Sequence, residues 1–143
     1  MNDKDRLNSI SEIIIGAAID VHKALGPGLL ESAYEACLAY ELRQRGLKVE
    51  QQKELPLKYR DVQIDCGYRL DLLVEDCVII ETKAIEALLP IHQAQLMSYL
   101  RLTKCHLGLI INFNVTQLTR GVKRVVNEFP DSAVSAISAV SGI

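Results

Sequence analysis

Two short apolar runs decide how this chain folds: Tyr68-Arg-Leu-Asp-Leu-Leu-Val74 and, three residues later, Val78-Ile-Ile-Glu-Thr-Lys83. Their length, their branched apolar residues and the turn-forming residues between them predict two strands of a β-hairpin. Charged side chains interrupt both runs, Asp71 in the first and Glu81 with Lys83 in the second. Charges inside an apolar strand are unfavourable unless they have partners or a function. The hairpin is therefore predicted to contain a polar site.

The length of the loop between the two runs determines which side chains meet. If residues 75–77 form a three-residue loop, Asp71 lies directly opposite Glu81, and both carboxylates emerge on one face. A two-residue turn would instead pair Asp71 with Ile80 and separate the carboxylates. Glu81 and Lys83 share a face in either case, because side chains alternate along a strand.

The part of the chain before the hairpin predicts two helices. Ser9-Ile-Ser-Glu12 has the spacing of a capping box, and apolar residues recur behind it at three- and four-residue steps, which predicts a helix over 9–25. Gly26-Pro27-Gly28 ends this helix, because proline cannot continue the hydrogen-bond ladder. A second helix, rich in Glu and Ala, is predicted to end at Gly46.

The remaining segments predict strands, one more helix and a final strand. From Leu47 the apolar residues alternate, which indicates a β-meander, and Pro56 favours an edge position or a strand start. After Pro90 a helix is expected, followed by a buried strand over 107–111. Residues 115–128 fit a helix or a strand, and we favour a short turn followed by a strand. The predicted order is ααβββ(β)αβ.

Composition favours one domain and excludes several classes of protein. The 143 residues are 49% hydrophobic, so we expect a single domain over 1–130 and a small-residue tail over 131–143, either mobile or a short docked helix. The net charge of -2 excludes a polycation that coats nucleic acid. No stretch approaches the ~20 apolar residues of a membrane span. Without a secretion or transit signal we expect the cytoplasm, with four reduced, packing cysteines and no zinc site.

The charged residues of the hairpin suit a hard divalent cation. If Asp71 and Glu81 converge, they offer the oxygen ligands that Mg²⁺ or Mn²⁺ prefers. Lys83 could then position a water or stabilise the charge that develops on a phosphodiester. The alternative, an ion pair on the surface of an edge hairpin, is the commoner arrangement for three such residues taken alone.

Three motifs, in order along the chain, resemble a known family. Asp71 with Glu81-Thr82-Lys83 resembles the Asp…Glu-x-Lys signature of the PD-(D/E)XK, or restriction-endonuclease-like, nuclease superfamily. Gln95-Leu-Met-Ser-Tyr99 resembles the Q-x-x-x-Y motif of its exonuclease-type branch. Gly28-Leu-Leu-Glu31-Ser-Ala-Tyr34 matches the signature of the GxxExxY protein family, which is placed in that superfamily. The resemblance spans roughly Ile10 to Glu128.

The resemblance implies a fold and a set of catalytic roles. The fold is an α/β three-layer αβα sandwich with a restriction-endonuclease-like αβββαβ core and a mixed sheet. Asp71 and Glu81 would be metal ligands, the backbone carbonyl of Thr82 a further ligand, and Lys83 the catalytic lysine. Glu31 would help to hold the metal or its water. Two carboxylates so close together also predict a raised pKa on at least one of them in the absence of metal.

The resemblance also implies that Gln95 and Tyr99 belong to the catalytic set. At i and i+4, the two residues share a helix face. Both also fit an ordinary helix rim with an amphipathic tyrosine, just as Glu31 fits a first-turn glutamate that complements the helix dipole. The Asp71 and Glu81 carboxylates, the Thr82 carbonyl and the Lys83 amine are expected to surround one point. Glu31 and Gln95 are expected at its border.

The implied function is metal-dependent hydrolysis of phosphodiester bonds in nucleic acid, with DNA as the expected substrate. From residue 88 onward the chain holds five basic and two acidic side chains. The candidates for phosphate contacts are Arg101, Lys104, Arg120, Lys123 and Arg124. A homodimer would supply the two active sites that cutting a duplex needs. The alternative function is a non-catalytic nucleic-acid-binding or protein-interaction module on the same fold.

Overall fold

The chain folds into a five-stranded sheet with helices on both faces, and a computed structural model describes residues 2–130. The helices are α1 (Asp3–Leu25), α2 (Glu31–Gln44), α3 (Pro90–Thr103) and a short 3₁₀ helix (Leu118–Gly121). The strands are β1 (Val49–Glu54), β2 (Leu57–Tyr59), β3 (Val62–Ile64), β4 (Arg69–Val74), β5 (Val78–Lys83), β6 (Leu107–Asn112) and β7 (Val122–Val126).

The first helix begins earlier than its sequence pattern predicts. Asn2 is the N-cap, and its side chain accepts a hydrogen bond from the Asp5 N–H at 2.8 Å. The predicted start at residue 9 is therefore wrong, and Ser11 is buried inside the helix. The predicted end of the first helix is confirmed, because α1 ends at Leu25 with Gly26 as its C-cap. α2 ends at Gln44, just before the predicted Gly46.

The main sheet has the strand order β1-β4-β5-β6-β7 and is mixed. β1, β4 and β5 pair antiparallel, β5 and β6 pair parallel, and β6 and β7 pair antiparallel. The predicted meander is interrupted, because β2 and β3 form a separate two-stranded hairpin between β1 and β4. Pro56 lies just before β2, where no ladder hydrogen bond is lost.

The sheet separates two apolar cores. Its face toward α1 and α2 buries the larger core, which includes Ile14, Ala18, Leu38, Leu42, Leu72, Val78, Ile80, Leu109 and Phe113. Its face toward α3 buries the smaller core, which includes Leu55, Leu70, Ile79, Leu96, Tyr99, Leu100, Ile110 and Val125. α3 approaches closely because β6 has Gly108 there, where a Cβ would come within 2.9 Å of the Leu96 side chain. The predicted α/β three-layer sandwich with a mixed sheet is confirmed.

The C-terminal part of the described chain follows the favoured alternative for the ambiguous segment. Residues 115–128 form the 3₁₀ helix and then β7. The predicted tail over 131–143 lies outside the described residues. Within residues 2–130, no helix is long and apolar enough to cross a membrane.

The four cysteines are free thiols, and their surroundings differ. Cys105 is buried and packs in the smaller core, and Cys37 and Cys77 are half-buried against the larger core. Cys66 is exposed in the segment between β3 and β4. The expectation that all four are packing residues is therefore wrong for Cys66.

Candidate active site

The candidate site lies where the ladder between β4 and β5 ends. Leu72 lies opposite Ile80, the register that a three-residue loop predicts, and continuation of this register puts Asp71 opposite Glu81. At this point, the two strands are joined by hydrogen bonds to side-chain carboxylates and no longer by backbone pairs. The Asp71 N–H donates to Glu81 Oε2 at 3.0 Å, and the Thr82 N–H donates to Asp71 Oδ2 at 2.9 Å. These two hydrogen bonds hold the carboxylates beside one another.

β4 also rotates at this point. Leu70 packs in the smaller core, whereas Leu72 packs in the larger core on the opposite face of the sheet. Regular alternation would put both leucines on one face. Asp71 therefore lies where β4 turns from one face of the sheet to the other, and groups from both helical layers, Glu35 and Tyr99, are near it.

Glu81 is buried and forms no ion pair within residues 2–130. It is 6% exposed, and burial, followed by the negative charge of Asp71, raises its pKa to about 8. The hydrogen bond from the Asp71 N–H and the charge of Lys83 act in the opposite direction. The expectation of a raised carboxyl pKa is confirmed, with burial rather than charge repulsion as the larger cause.

Lys83 closes β5 on the same face as Glu81 and is half-buried. None of the ion pairs within residues 2–130 includes Lys83. The surface ion pair considered as the alternative for this hairpin is therefore not formed. The Lys83 backbone carbonyl accepts a hydrogen bond from the Phe113 N–H at 2.9 Å, which joins the end of β5 to the residue after β6.

α3 brings its tyrosine, rather than its glutamine, to the carboxylates. Tyr99 is 6% exposed, and burial raises its pKa, with further contributions from the charges of Glu81 and of Asp71. Its ring centroid lies 6.1 Å from that of Tyr68. Gln95 lies one turn earlier on α3 and is exposed, and its side chain forms no hydrogen bond in the part of the chain that the structure describes.

The acidic residue of α2 that lies beside Asp71 is Glu35, which sequence reasoning missed. Burial, followed by the negative charge of Asp71, raises the pKa of Glu35. Glu31 lies one turn earlier and is half-buried, and it lines a surface cavity of about 400 Å³ together with Ala84. Glu35 is at i+4 from Glu31, so helical spacing alone could have identified it as a second acidic residue on this face.

Gly28 and Tyr34 stabilise the turn between α1 and α2. Gly28 has φ +101°, a conformation that side chains rarely adopt. Tyr34 is fully buried, and its ring stacks on Phe113 with centroids 4.5 Å apart. Its hydroxyl donates to the Gly26 carbonyl at 2.5 Å and accepts from the Leu29 N–H at 3.1 Å. These residues shape the α1–α2 turn and so determine where the acidic face of α2 begins.

The five predicted phosphate-binding cations do not form one surface. Arg101 and Lys104 line a cavity of about 610 Å³ near the start of β6, the end of that strand opposite to its pairing with Lys83. Arg124 donates to Asn8 Oδ1 at 2.9 Å on the α1 side of the sheet. The other two are the exposed residues Arg120 and Lys123.

A family model described as the PD-(D/E)XK nuclease superfamily matches residues 8–125. This chain belongs to the PD-(D/E)XK nuclease superfamily. No curated protein and no solved structure matches the chain. The resemblance drawn from the three motifs is confirmed at the level of the superfamily, and the mixed sheet with helices on both faces agrees with it.

PD-(D/E)XK nucleases generally use divalent metals, and the oxygen donors of this chain are compatible with one. Within residues 2–130, no group of three or more His, Cys, Asp or Glu side chains has the arrangement of a metal site. Mg²⁺ needs fewer protein ligands, because it commonly keeps several waters and binds through one or two carboxylates. Asp71 and Glu81 provide such a pair of carboxylates.

Proposed function

We propose that this chain is a metal-dependent nuclease that hydrolyses phosphodiester bonds of nucleic acid, with Mg²⁺ or Mn²⁺ as its cofactor. The observation that supports this most strongly is the position of the Asp71 and Glu81 carboxylates where the β4–β5 ladder ends. Each carboxylate accepts a hydrogen bond from a backbone N–H of the other strand. Glu81 is buried, Asp71 is half-buried, and neither forms an ion pair within residues 2–130, an arrangement that is unfavourable in a purely structural role. Within a nuclease superfamily, they are best explained as metal ligands.

In this proposal, Asp71 and Glu81 bind the metal through carboxylate oxygens and Thr82 through its backbone carbonyl. The Thr82 N–H points toward Asp71 on β4, and the carbonyl of the same strand residue points to the same side. A divalent cation there supplies positive charge to a phosphate oxygen of the substrate. Lys83 orients the attacking water or stabilises the negative charge that develops on the phosphate.

The helices contribute the remaining groups. We propose that Glu35, beside Asp71, holds the metal's water shell, while Glu31 lies further out along the same face of α2. Tyr99 and Gln95 on α3 would contact the substrate near Glu81. The proximity of Tyr99 to the carboxylates supports this more directly than the exposed position of Gln95 does.

We further propose DNA as the substrate, membership of the GxxExxY branch and a cytoplasmic location. The structural roles of Gly28 and Tyr34 are compatible with the GxxExxY signature. Because Arg101, Lys104, Arg120, Lys123 and Arg124 are dispersed, they would contact phosphates on separate parts of a long substrate rather than at one cluster. Cutting both strands of a duplex would then require two copies of the chain.

Cleavage assays test the proposed activity. Single- and double-stranded DNA and RNA are incubated with the chain and with Mg²⁺ or Mn²⁺, and cleavage is compared with that by the variants Asp71→Ala and Lys83→Ala. Asp61→Ala and Lys58→Ala are matched controls, since both residues are exposed in the separate β2–β3 hairpin. We expect metal-dependent cleavage by the wild type and both controls, and its loss in the two site variants.

Equal inactivity of all five proteins on every substrate would contradict the nuclease proposal. Nucleic-acid binding that weakens steeply with salt, needs no metal and is accompanied by no cleavage would instead support the binding-module alternative.

A further inference from the structure

The edge strand β1 is distorted at Gln52, directly opposite Asp71. Gln52 has φ 52°, in the left-handed region that residues other than glycine rarely occupy. The β1–β4 ladder pairs Gln51 with Leu72 and Lys53 with Leu70, but the intervening pair of Gln52 with Asp71 is absent from it. The distortion of β1 therefore coincides with the place where β4 rotates.

The side chain of Gln52 joins two carboxylates from different layers of the fold. Its Nε2 donates to Glu35 Oε1 on α2 at 2.7 Å and to Asp71 Oδ1 on β4 at 3.3 Å. One amide NH₂ has two donors, so it can serve both acceptors at once. No other side chain in the described part of the chain donates to both Glu35 and Asp71.

Packing does not explain this conformation. Gln52 is exposed on an edge strand, so it contributes no buried surface that would compensate for a disfavoured backbone. Glycine or asparagine would occupy the left-handed region more readily. Glycine has no side chain, however, and asparagine is one methylene shorter, so neither could bridge the carboxylates in the same way.

We propose that Gln52 is a positioning residue, which holds Glu35 and Asp71 together so that the Asp71 carboxylate faces Thr82 and the metal position. This inference rests on the proposed function for the identity of the site. The bond from Gln52 occupies Asp71 Oδ1, while the Thr82 N–H and hydroxyl occupy Oδ2. Asp71 is thus held from both sides, and loss of the Gln52 amide frees its rotation.

The variant Gln52→Gly tests the proposal, because it removes the bridge without adding backbone strain. Arg60→Gly is the matched control, since Arg60 is exposed, has φ 55° and lies in the β2–β3 hairpin. Two quantities are measured: Mn²⁺ affinity by calorimetry, and the hydrogen-exchange rate of the Thr82 amide in metal-free protein by NMR. If Gln52→Gly fails to fold, Gln52→Asn takes its place.

We expect Gln52→Gly to weaken Mn²⁺ binding by at least about tenfold, the usual effect of removing a residue that orients a ligand. We also expect its Thr82 amide to exchange about tenfold faster, while Arg60→Gly changes neither quantity. Unchanged Thr82 exchange in Gln52→Gly would overturn the inference, whether or not metal binds. If the wild type binds no Mn²⁺ but Thr82 exchange accelerates, the proposed function fails and the positioning of Asp71 stands.

Discussion

The two halves of β5, Val78 to Ile80 and Glu81 to Lys83, are paired differently. Val78, Ile79 and Ile80 are 0% exposed and pair with both β4 and β6. Glu81 is 6% exposed and still pairs with β6, but β4 offers it side chains in place of the backbone ladder. Where a central strand loses one neighbour, it can retain a buried ionisable side chain. The apolar half should therefore control stability, and the polar half activity.

The largest expected effect is on stability and lies in the apolar half. Ile80→Ala removes a fully buried side chain from the larger core and should lower the free energy of unfolding by about 4 kcal/mol. Ile91→Ala, at a 66% exposed position on α3, should change it by no more than about 0.5 kcal/mol. Urea denaturation measures both. Equal effects would show that the burial of β5 does not stabilise the fold.

The next effect is on activity and lies in the polar half. Lys83→Met keeps most of the side chain's length but removes its charge, and it should slow cleavage about 10²-fold by removing one group that stabilises developing charge. Mn²⁺ affinity should stay close to that of the wild type, since Lys83 is not a proposed ligand. Steady-state cleavage and calorimetry separate the two quantities. A large loss of metal affinity in Lys83→Met would contradict this division of roles.

The polar half of β5 should also make the stability of the protein depend on pH. The pKa of Glu81 is 4.5 in its ordinary state and is raised to about 8 in the folded protein. Between these two pH values, the folded protein therefore binds more protons than the unfolded chain does. The free energy of unfolding of metal-free protein should therefore fall as pH rises from about 5 to 8, by at most about 1.4 kcal/mol per pH unit. Thermal unfolding across this range measures it. Glu81→Gln should remove most of the fall, and a rise of wild-type stability with pH would contradict the account.

The smallest expected effect distinguishes the two acidic residues of α2. Glu35→Gln should weaken Mn²⁺ binding about tenfold, because Glu35 lies beside Asp71, and Glu31→Gln should weaken it less. Calorimetry on the two variants measures the difference. A larger loss in Glu31→Gln than in Glu35→Gln would indicate that Glu31, and not Glu35, holds the water shell of the metal.

The local pattern of the hairpin was enough to predict its register. Loop length and strand alternation predict that Asp71 lies opposite Glu81, because both follow from covalent geometry and the two-residue period of a strand. The same reasoning predicts three layers from alternating helical and extended periods. Local pattern failed at Ser9, where the capping-box spacing occurs inside a helix that Asn2 had already started.

The tertiary part of the site could not be predicted in this way. Helical spacing could have identified Glu35 as an acidic residue on this face of α2, but Glu35 lies beside Asp71 because β4 rotates, and no residue spacing along the chain encodes that rotation. Gln52 has an unremarkable sequence context, and its left-handed backbone is known only once β1 has paired with β4. The dispersion of the basic residues likewise depends on strand order, which places Arg124 on the α1 side.

The measurement that tests the central claim most directly is calorimetric titration of Mn²⁺ into the wild type, Asp71→Asn and the matched control Asp61→Asn. We predict saturable binding to the wild type and to Asp61→Asn, with affinity at least about tenfold weaker in Asp71→Asn, because the carboxylate opposite Glu81 is a proposed ligand. Absence of binding to the wild type, or equal affinity for all three proteins, would contradict the claim that Asp71 and Glu81 form a metal site.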